Sequence, residues 1–191
     1  MIKDQVRAIG IDDAPFEFSQ EDVLVVGTVV RAPNYLEGVL STRIGIDGND
    51  ATRKIKEMVN GSKFKGQAKV IFVDGAALGG FNLVDLEELN QQTGIPCISV
   101  SRKKPDFQNI KKAMKKHFEL WEEKFEQIKK GDIYKMETKD NPIYIQKEGA
   151  NLKTVKRLLD IFTLRGRLPE PIRISHIIAA GVVKGESRGK A

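Results

Sequence analysis

Lys69–Asn82, reading KVIFVDGAALGGFN, is the stretch that decides the fold. Val70 to Val73 is a short apolar, β-branched run, the pattern of a buried strand. It ends on the carboxylate of Asp74 and breaks at once into Gly75 and a loop of small residues, after which a helix is expected from about Asn82 to Gln92. In an open α/β sheet, ligands sit beyond the carboxyl ends of the strands, and Asp74 stands there. A second expected strand, Val6 to Ile11, also runs into carboxylates, Asp12 and Asp13. If the two strands are neighbours, their tips share a site.

At 191 residues the chain is long enough to bury a proper core, and its 40% hydrophobic and 30% charged residues are those of a soluble globular protein. We read residues 1–184 as one domain and 185–191 as a basic, mobile tail. The net charge of +6 suits an anionic partner, although a solvated basic surface gives the same number. Cys97 is the only cysteine, which excludes an intrachain disulfide framework and a Cys-based zinc site. It lies in the apolar run Ile95–Val100 and reads as a core residue. No apolar run approaches the ~20 residues that span a bilayer. The N-terminus, charged at Lys3, Asp4 and Arg7, lacks a signal-peptide core, so a cytoplasmic location is the default expectation.

Outward from the organising stretch, Val23–Val30 (VLVVGTVV) is the most apolar run and reads as a buried strand, and Gly38–Ile46 as a third. Short links without helices between the first three strands predict an antiparallel meander. Ile55, Met58 and Val59 lie at i, i+3, i+4 on a helix that Asp50 is placed to cap. Cys97–Ser101 reads as the next strand, and the order strand, helix, strand implies a parallel crossover. From Pro105 to Lys130, apolar residues from Phe107 to Ile128 recur every three or four positions, which predicts one long amphipathic helix. Ile133–Thr138 and Pro142–Lys147 read as a two-stranded ribbon. Helices follow from Asn151 to Phe162 and from Pro169-Glu170-Pro171 onward, the latter carrying Ile172, His176 and Ala180 on one face.

The acidic candidates at or beyond strand ends are Asp12, Asp13, Asp47, Asp50 and Asp74. Hard cations such as Mg²⁺ take carboxylate oxygens and water, and paired ions can support phosphodiester cleavage. The same aspartates also serve as ordinary turn formers and caps. Gly75-Ala76-Ala77-Leu78-Gly79-Gly80 has neither dinucleotide-binding nor P-loop spacing. His176 can ligate a metal or handle a proton, or be structural; Arg102 and Lys103, just past a strand, can touch a phosphate or simply be solvated.

Four segments together resemble a known family. Ile9–Phe16 (IGIDDAPF), Ile44–Thr52 (IGIDGNDAT), Val73–Asn82 (VDGAALGGFN) and Gly166–Ala179 (GRLPEPIRISHIIA) look like archaeal domain-of-unknown-function family ninety-nine. That family in turn is similar to endonuclease V, a metal-dependent nuclease of ribonuclease-H-like fold that cuts near inosine or deaminated bases. The resemblance implies an α/β fold with a ribonuclease-H-like mixed sheet, the first three strands antiparallel and helices on both faces. It implies that Asp12 and Asp74 hold Mg²⁺ or Mn²⁺, that Asp50, or failing it Asp47, completes the site, and that His176 positions water or protonates a leaving group. Arg102 falls near the position of the family's lysine. The glutamate that endonuclease V carries before its first helix is replaced by Asp47-Gly48-Asn49-Asp50, and its His-Pro-Arg after the second aspartate by Gly79-Gly80-Phe81-Asn82. Tyr35, near the place of its wedge, is a candidate for stacking on a base. Nucleic acid, DNA or RNA, is the implied partner, with Arg102, Lys103, Tyr35 and Arg173 as contacts. The leading expectation is a metal-dependent nuclease acting on structured or modified nucleic acid, inosine-containing substrates among them. Its rivals are a non-catalytic nucleic-acid-binding protein on the same fold and a scaffold that uses neither metal nor nucleic acid.

Overall fold

The computed structural model describes residues 5–187. Residues 1–4 and 188–191, the latter most of the tail expected to be mobile, lie outside the described residues. The strands are β1 (Arg7–Asp13), β2 (Asp22–Arg31), β3 (Tyr35–Gly45), β4 (Ala68–Asp74), β5 (Ala77–Leu78), β6 (Asn82–Leu83), β7 (Cys97–Ser101), β8 (Tyr134–Met136) and β9 (Ile143–Glu148). The helices are α1 (Ala51–Asn60), α2 (Leu86–Thr93), α3 (Phe107–His117), α4 (Trp121–Lys129), α5 (Leu152–Phe162) and α6 (Glu170–Lys184). Seven strands form one mixed sheet in the order β3-β2-β1-β4-β7-β9-β8. The first three are an antiparallel meander, β1 and β7 run parallel to β4 on either side, and β9 and β8 close the sheet antiparallel.

Alternation along each strand divides the core. Ile9, Ile11, Ile71 and Val73 pack with Ile55 and Val59 of α1 and Leu89 of α2. Ala8, Val70, Phe72 and Ile98 point to the other face, against Val155 and Phe162 of α5 and Ile172 of α6. Helix α6 touches β1 backbone to backbone, because position 10 is glycine and a Cβ there would collide with the main chain of Pro171. That contact is polar as well as close: Thr28 Oγ1 donates to the Pro171 carbonyl at 2.7 Å, and Ser175 Oγ lies 2.7 Å from the Gly10 carbonyl. Cys97 is fully buried, which pushes its thiol up to about 12. Among the described residues no helix is long and apolar enough to cross a membrane.

Three expectations need correction. β1 does not stop at Ile11; it runs through Asp12 and Asp13, so these carboxylates lie within the strand and point to opposite faces. Asn82 does not open a helix, because Asn82–Leu83 pairs back on Ala77–Leu78 and α2 starts only at Leu86, capped by Asp85 through the Glu88 N–H. The long helix is two. Phe118 is extended (φ −131°, ψ 132°), and the chain folds back so that Phe107 meets Phe125 with ring centroids 6.3 Å apart. One continuous helix would hold those residues about 27 Å apart. The unbroken periodicity misled because both arms of the hairpin turn the same stripe onto one small cluster around Leu83 and Met114.

Candidate functional site

The parallel register pairs Gly10 with Phe72 and Ile11 with Val73. One step further along both strands, Asp12 stands beside Asp74. β7 continues the row, with Val100 opposite Asp74 and Arg102 just beyond the strand end. Arg102 Nη2 lies 4.0 Å from Asp74 Oδ2, and the Arg102 carbonyl accepts from Arg167 Nη1 at 3.1 Å. From the facing α6, His176 Nδ1 lies 2.8 Å from Asp12 Oδ2. Asp12 Oδ1 accepts the Asp13 N–H at 2.9 Å, and Asp12 is only 3% exposed. Asp13, on the opposite face, accepts the Gly79 N–H at 2.6 Å.

These charges act on one another. Burial, opposed by the His176 contact and reinforced by the Asp74 and Asp13 charges, pushes the Asp12 carboxyl up to about 7. Asp74 is raised by burial, against the pull of Arg102 and His176. Burial also raises Asp13, against the Gly79 N–H. His176 is raised, chiefly by its hydrogen bond to Asp12 and against the cost of its own burial. Buried Asp12 and half-buried Asp13 and Asp74 thus crowd one end of the sheet, with His176 and Arg102 beside them, and carboxylate oxygens are the donors that a hard divalent cation takes. Among the described residues no three His, Cys, Asp or Glu side chains form a ready-made cage. The arrangement fits Mg²⁺ better than a closed site, since that ion is held by one or two carboxylates with water and phosphate completing the shell.

The structure does not bring the other acidic candidates into this row. Asp50 sits at the N-cap of α1 without capping it. Its Oδ1 accepts from Gly45 N at 3.1 Å and Asn82 Nδ2 at 2.7 Å, while Asn82 Oδ1 takes the Ala51 N–H at 2.9 Å in its stead. Asp47, in the left-handed region (φ 54°), accepts the Phe81 N–H at 2.7 Å. Both carboxylates are engaged in fastening the β3–α1 turn to the loop after β4, and the charges that act most strongly on Asp12 are those of Asp74, Asp13 and His176. Tyr35 is 60% exposed but pairs with Arg31, which pairs with Arg7, at the far end of β1 from Asp12. Five residues of strand, about 17 Å, separate those ends. Arg173 is committed to the buried Glu170 through two hydrogen bonds of 2.9 and 2.6 Å, which leaves it poorly placed for phosphate. Lys103 is exposed and, with Lys104, borders a cavity of about 330 Å³ floored by Ala76, Phe81 and Phe107, beside the Asp74 loop.

Two residues escaped the sequence reading. Asn82 is fully buried and clasps the turn before α1. Lys124 inserts its ammonium among the carbonyls of the same two loops. Its signal was legible: it lies three residues after Trp121 and four before Ile128, a lysine on an apolar stripe.

The chain is 48% identical over 192 residues to a UPF0215 protein of Methanothermobacter thermautotrophicus, covering 100% of this chain and 94% of the relative. A crystal structure of an Archaeoglobus fulgidus protein of unknown function superposes with a TM-score of 0.83 at 39% identity, over 94% of this chain and 99% of that one. Human ENDOV matches with a TM-score of 0.61 at 17% identity, over 95% and 85% of the two chains. Endonuclease V of Ciona intestinalis, in complex with DNA containing an inosine followed by a ribo-adenosine, matches at 0.56 and 14%, over 90% and 83%. At those identities the endonuclease V likeness shows the fold, the ribonuclease-H-like mixed sheet expected from the motifs. Residues 4–183 match the family model described as Endonuclease dU, and with nearly half its residues shared with a full-length relative the chain belongs to that family.

Proposed function

We propose that this protein is a divalent-metal-dependent endonuclease that hydrolyses phosphodiester bonds in DNA carrying deaminated bases, deoxyuridine foremost. The observation that carries the reading is the row Asp12–Asp74–Arg102 across three parallel strands, faced by His176 at 2.8 Å from Asp12. The family description, Endonuclease dU, supports deoxyuridine as the base, and the inosine-containing DNA bound by the Ciona protein of the same fold belongs to the same deaminated class.

Asp12 and Asp74 would hold Mg²⁺ or Mn²⁺. The ion would supply charge stabilisation for the phosphoryl oxygens and activate water. Arg102 holds a non-bridging phosphate oxygen, relaxing its hold on Asp74 as the phosphate arrives. The contact of Asp12 with His176 Nδ1 raises the imidazole's proton affinity, and Nε2 is the nitrogen left to present a proton. A water oxygen forms the new bond to phosphorus and the ester P–O bond breaks. The leaving oxygen takes the His176 proton, and the water's proton passes to solvent. Lys103 and Lys104 line the adjoining cavity, and their charge suits the phosphate of a flanking nucleotide there.

The engagement of Asp47 and Asp50 elsewhere favours one second reading, a nucleic-acid-binding protein without catalysis. Calorimetric titration with Mn²⁺ of the wild type, Asp12→Asn and Asp74→Asn, with cleavage assays on uracil- and inosine-containing DNA, decides between them. Saturable binding lost in both variants, with metal-dependent nicking, supports the nuclease. Salt-steep DNA binding that ignores chelator, without nicking, supports the binder.

A further inference from the structure

Lys124 of α4 points its ammonium into the body of the protein. Its partners are three backbone carbonyls, Gly48 O at 2.8 Å, Phe81 O at 2.9 Å and Asp47 O at 3.4 Å, and its ammonium lies 5.0 Å from the centre of the Phe118 ring. The carbonyls belong to two loops, the turn between β3 and α1 and the loop that follows β4. A charged donor bridging them forms hydrogen bonds roughly twice as strong as neutral ones. Burial lowers the lysine's proton affinity, so the cradle offsets a real desolvation cost. The two loops also grip each other: the Asp47 N–H donates to Gly79 O at 2.8 Å, and Asp47 Oδ1 accepts from Phe81 N at 2.7 Å. Gly80 fits between them only as glycine, at φ 85° with Asp47 against the place of a Cβ. From this locked pair the Gly79 N–H reaches Asp13 Oδ2 at 2.6 Å, and the Asp13 N–H reaches Asp12 Oδ1 at 2.9 Å. An unbroken series of hydrogen bonds therefore runs from α4 to the carboxylate row.

We propose that Lys124 is a positioning residue: its ammonium locks the 47–48 turn to the 79–81 loop, and the locked pair seats Asp13 and, through it, Asp12 in the geometry the site requires. The α3–α4 hairpin then has a task beyond covering Leu83, because its docking sets the site. The catalytic half of this inference rests on the nuclease reading above; the mechanical half does not. Support by surrounding residues is the general requirement for a site held to a fraction of an ångström.

Amide hydrogen exchange on the full chain, paired with cleavage of uracil-containing DNA, tests both halves. In Lys124→Met, which keeps the alkyl stem, the Gly79, Phe81 and Asp13 amides exchange at least tenfold faster while those of β4 and α5 keep their protection. Over the same comparison, kcat falls about tenfold with KM within twofold, and Lys124→Arg recovers most of both. Unchanged exchange at Gly79 and Asp13 overturns the proposal whatever cleavage does. Loosened loops with full kcat overturn it too, because the loops would then position nothing. If the wild type cleaves no substrate, the nuclease reading fails and exchange alone decides the coupling. Should Lys124→Met not fold, Lys124→Gln is read by the same criteria.

Discussion

Helix α6 buries Glu170, Pro171, Ile172, Ser175, Ala179 and Ala180, whereas α3 and α4 together bury only Met114 and Phe125. Both regions carry apolar residues at helical spacing, yet they use them differently. On α6 the residues at the contact are small or polar, so its backbone comes down onto Gly10 and its side chains bond to β1 and β2 carbonyls and hydroxyls. The hairpin presents aromatic edges, Phe81 to Phe118 at 5.7 Å and Trp121 to Phe125 at 6.3 Å, with Lys111 and Lys115 lying over the Trp121 ring. Close backbone contact leaves α6 one position to adopt, and it delivers His176 to Asp12. The hairpin meets the strand-end loops through the Lys124 ammonium and through Phe107 and Ile110, which line the cavity beside the Asp74 loop. The difference teaches that amphipathic pattern does not measure rigidity; the size of the residues at the contact does.

Four perturbations would sharpen or break this contrast. The largest effect is expected at the rigid centre: Asp12→Asn should lower cleavage by about 10³-fold, ~4 kcal/mol of barrier, in single-turnover assays. Its stability at neutral pH should equal or exceed the wild type, since a buried charge is removed. An active variant would show that Asp12 is not part of the chemistry. Next, Gly10→Ala should drive α6 off β1 and cost about 3 kcal/mol, seen as a melting temperature lower by roughly 10 °C. An unchanged melt would mean that the helix can shift and that the contrast with the hairpin is overdrawn.

The third is a pH dependence. Asp12 titrates near 7 in the folded chain, above its unfolded value, and His176 is raised as well. Both groups therefore favour the folded state while protonated, and that contribution is lost as pH rises toward and through 7. Calorimetric melts in chelator should fall by several degrees between pH 5 and 8, and Mn²⁺ should restore them at the upper end. The same slope in Asp12→Asn would assign the effect elsewhere. The smallest is in the hairpin: Trp121→Ala, at a half-buried ring, should cost about 1 kcal/mol, well below the ~3–5 kcal/mol of a fully buried aromatic. Exchange should rise in α3 and α4 before the sheet responds.

Burial explains part of what was legible. Cys97–Ser101 was read to the residue because a run buried on both faces is apolar throughout; the meander and the ribbon, whose β3 and β8 are largely exposed or half-buried, were read in type from the short links between their strands. The pair Asp12 and Asp74 was legible because strand ends are where open α/β sheets place their chemistry, and the motifs sharpened it. The break at Phe118 was not, since a hairpin whose two arms face one cluster keeps the spacing of a single helix. Nor were the tasks of Asp47 and Asp50, because an aspartate beside a helix start reads as a cap or a ligand alike until its neighbour is known.

Periodicity and strand-end carboxylates, properties of neighbours along the chain, by themselves determined the antiparallel meander, the parallel crossover that follows it and the strand-end place of Asp12 and Asp74; that the two strands are neighbours in one mixed sheet was implied by the family resemblance, and the sheet order agrees. What only the tertiary structure decided are the contacts between residues far apart in sequence. His176 faces Asp12 across 164 residues, Asn82 takes over the cap that Asp50 leaves, and Lys124 threads its charge between two loops. Hydrogen bonds depend on where atoms stand in space, and that distance is written nowhere in the local pattern from which strands and helices are read.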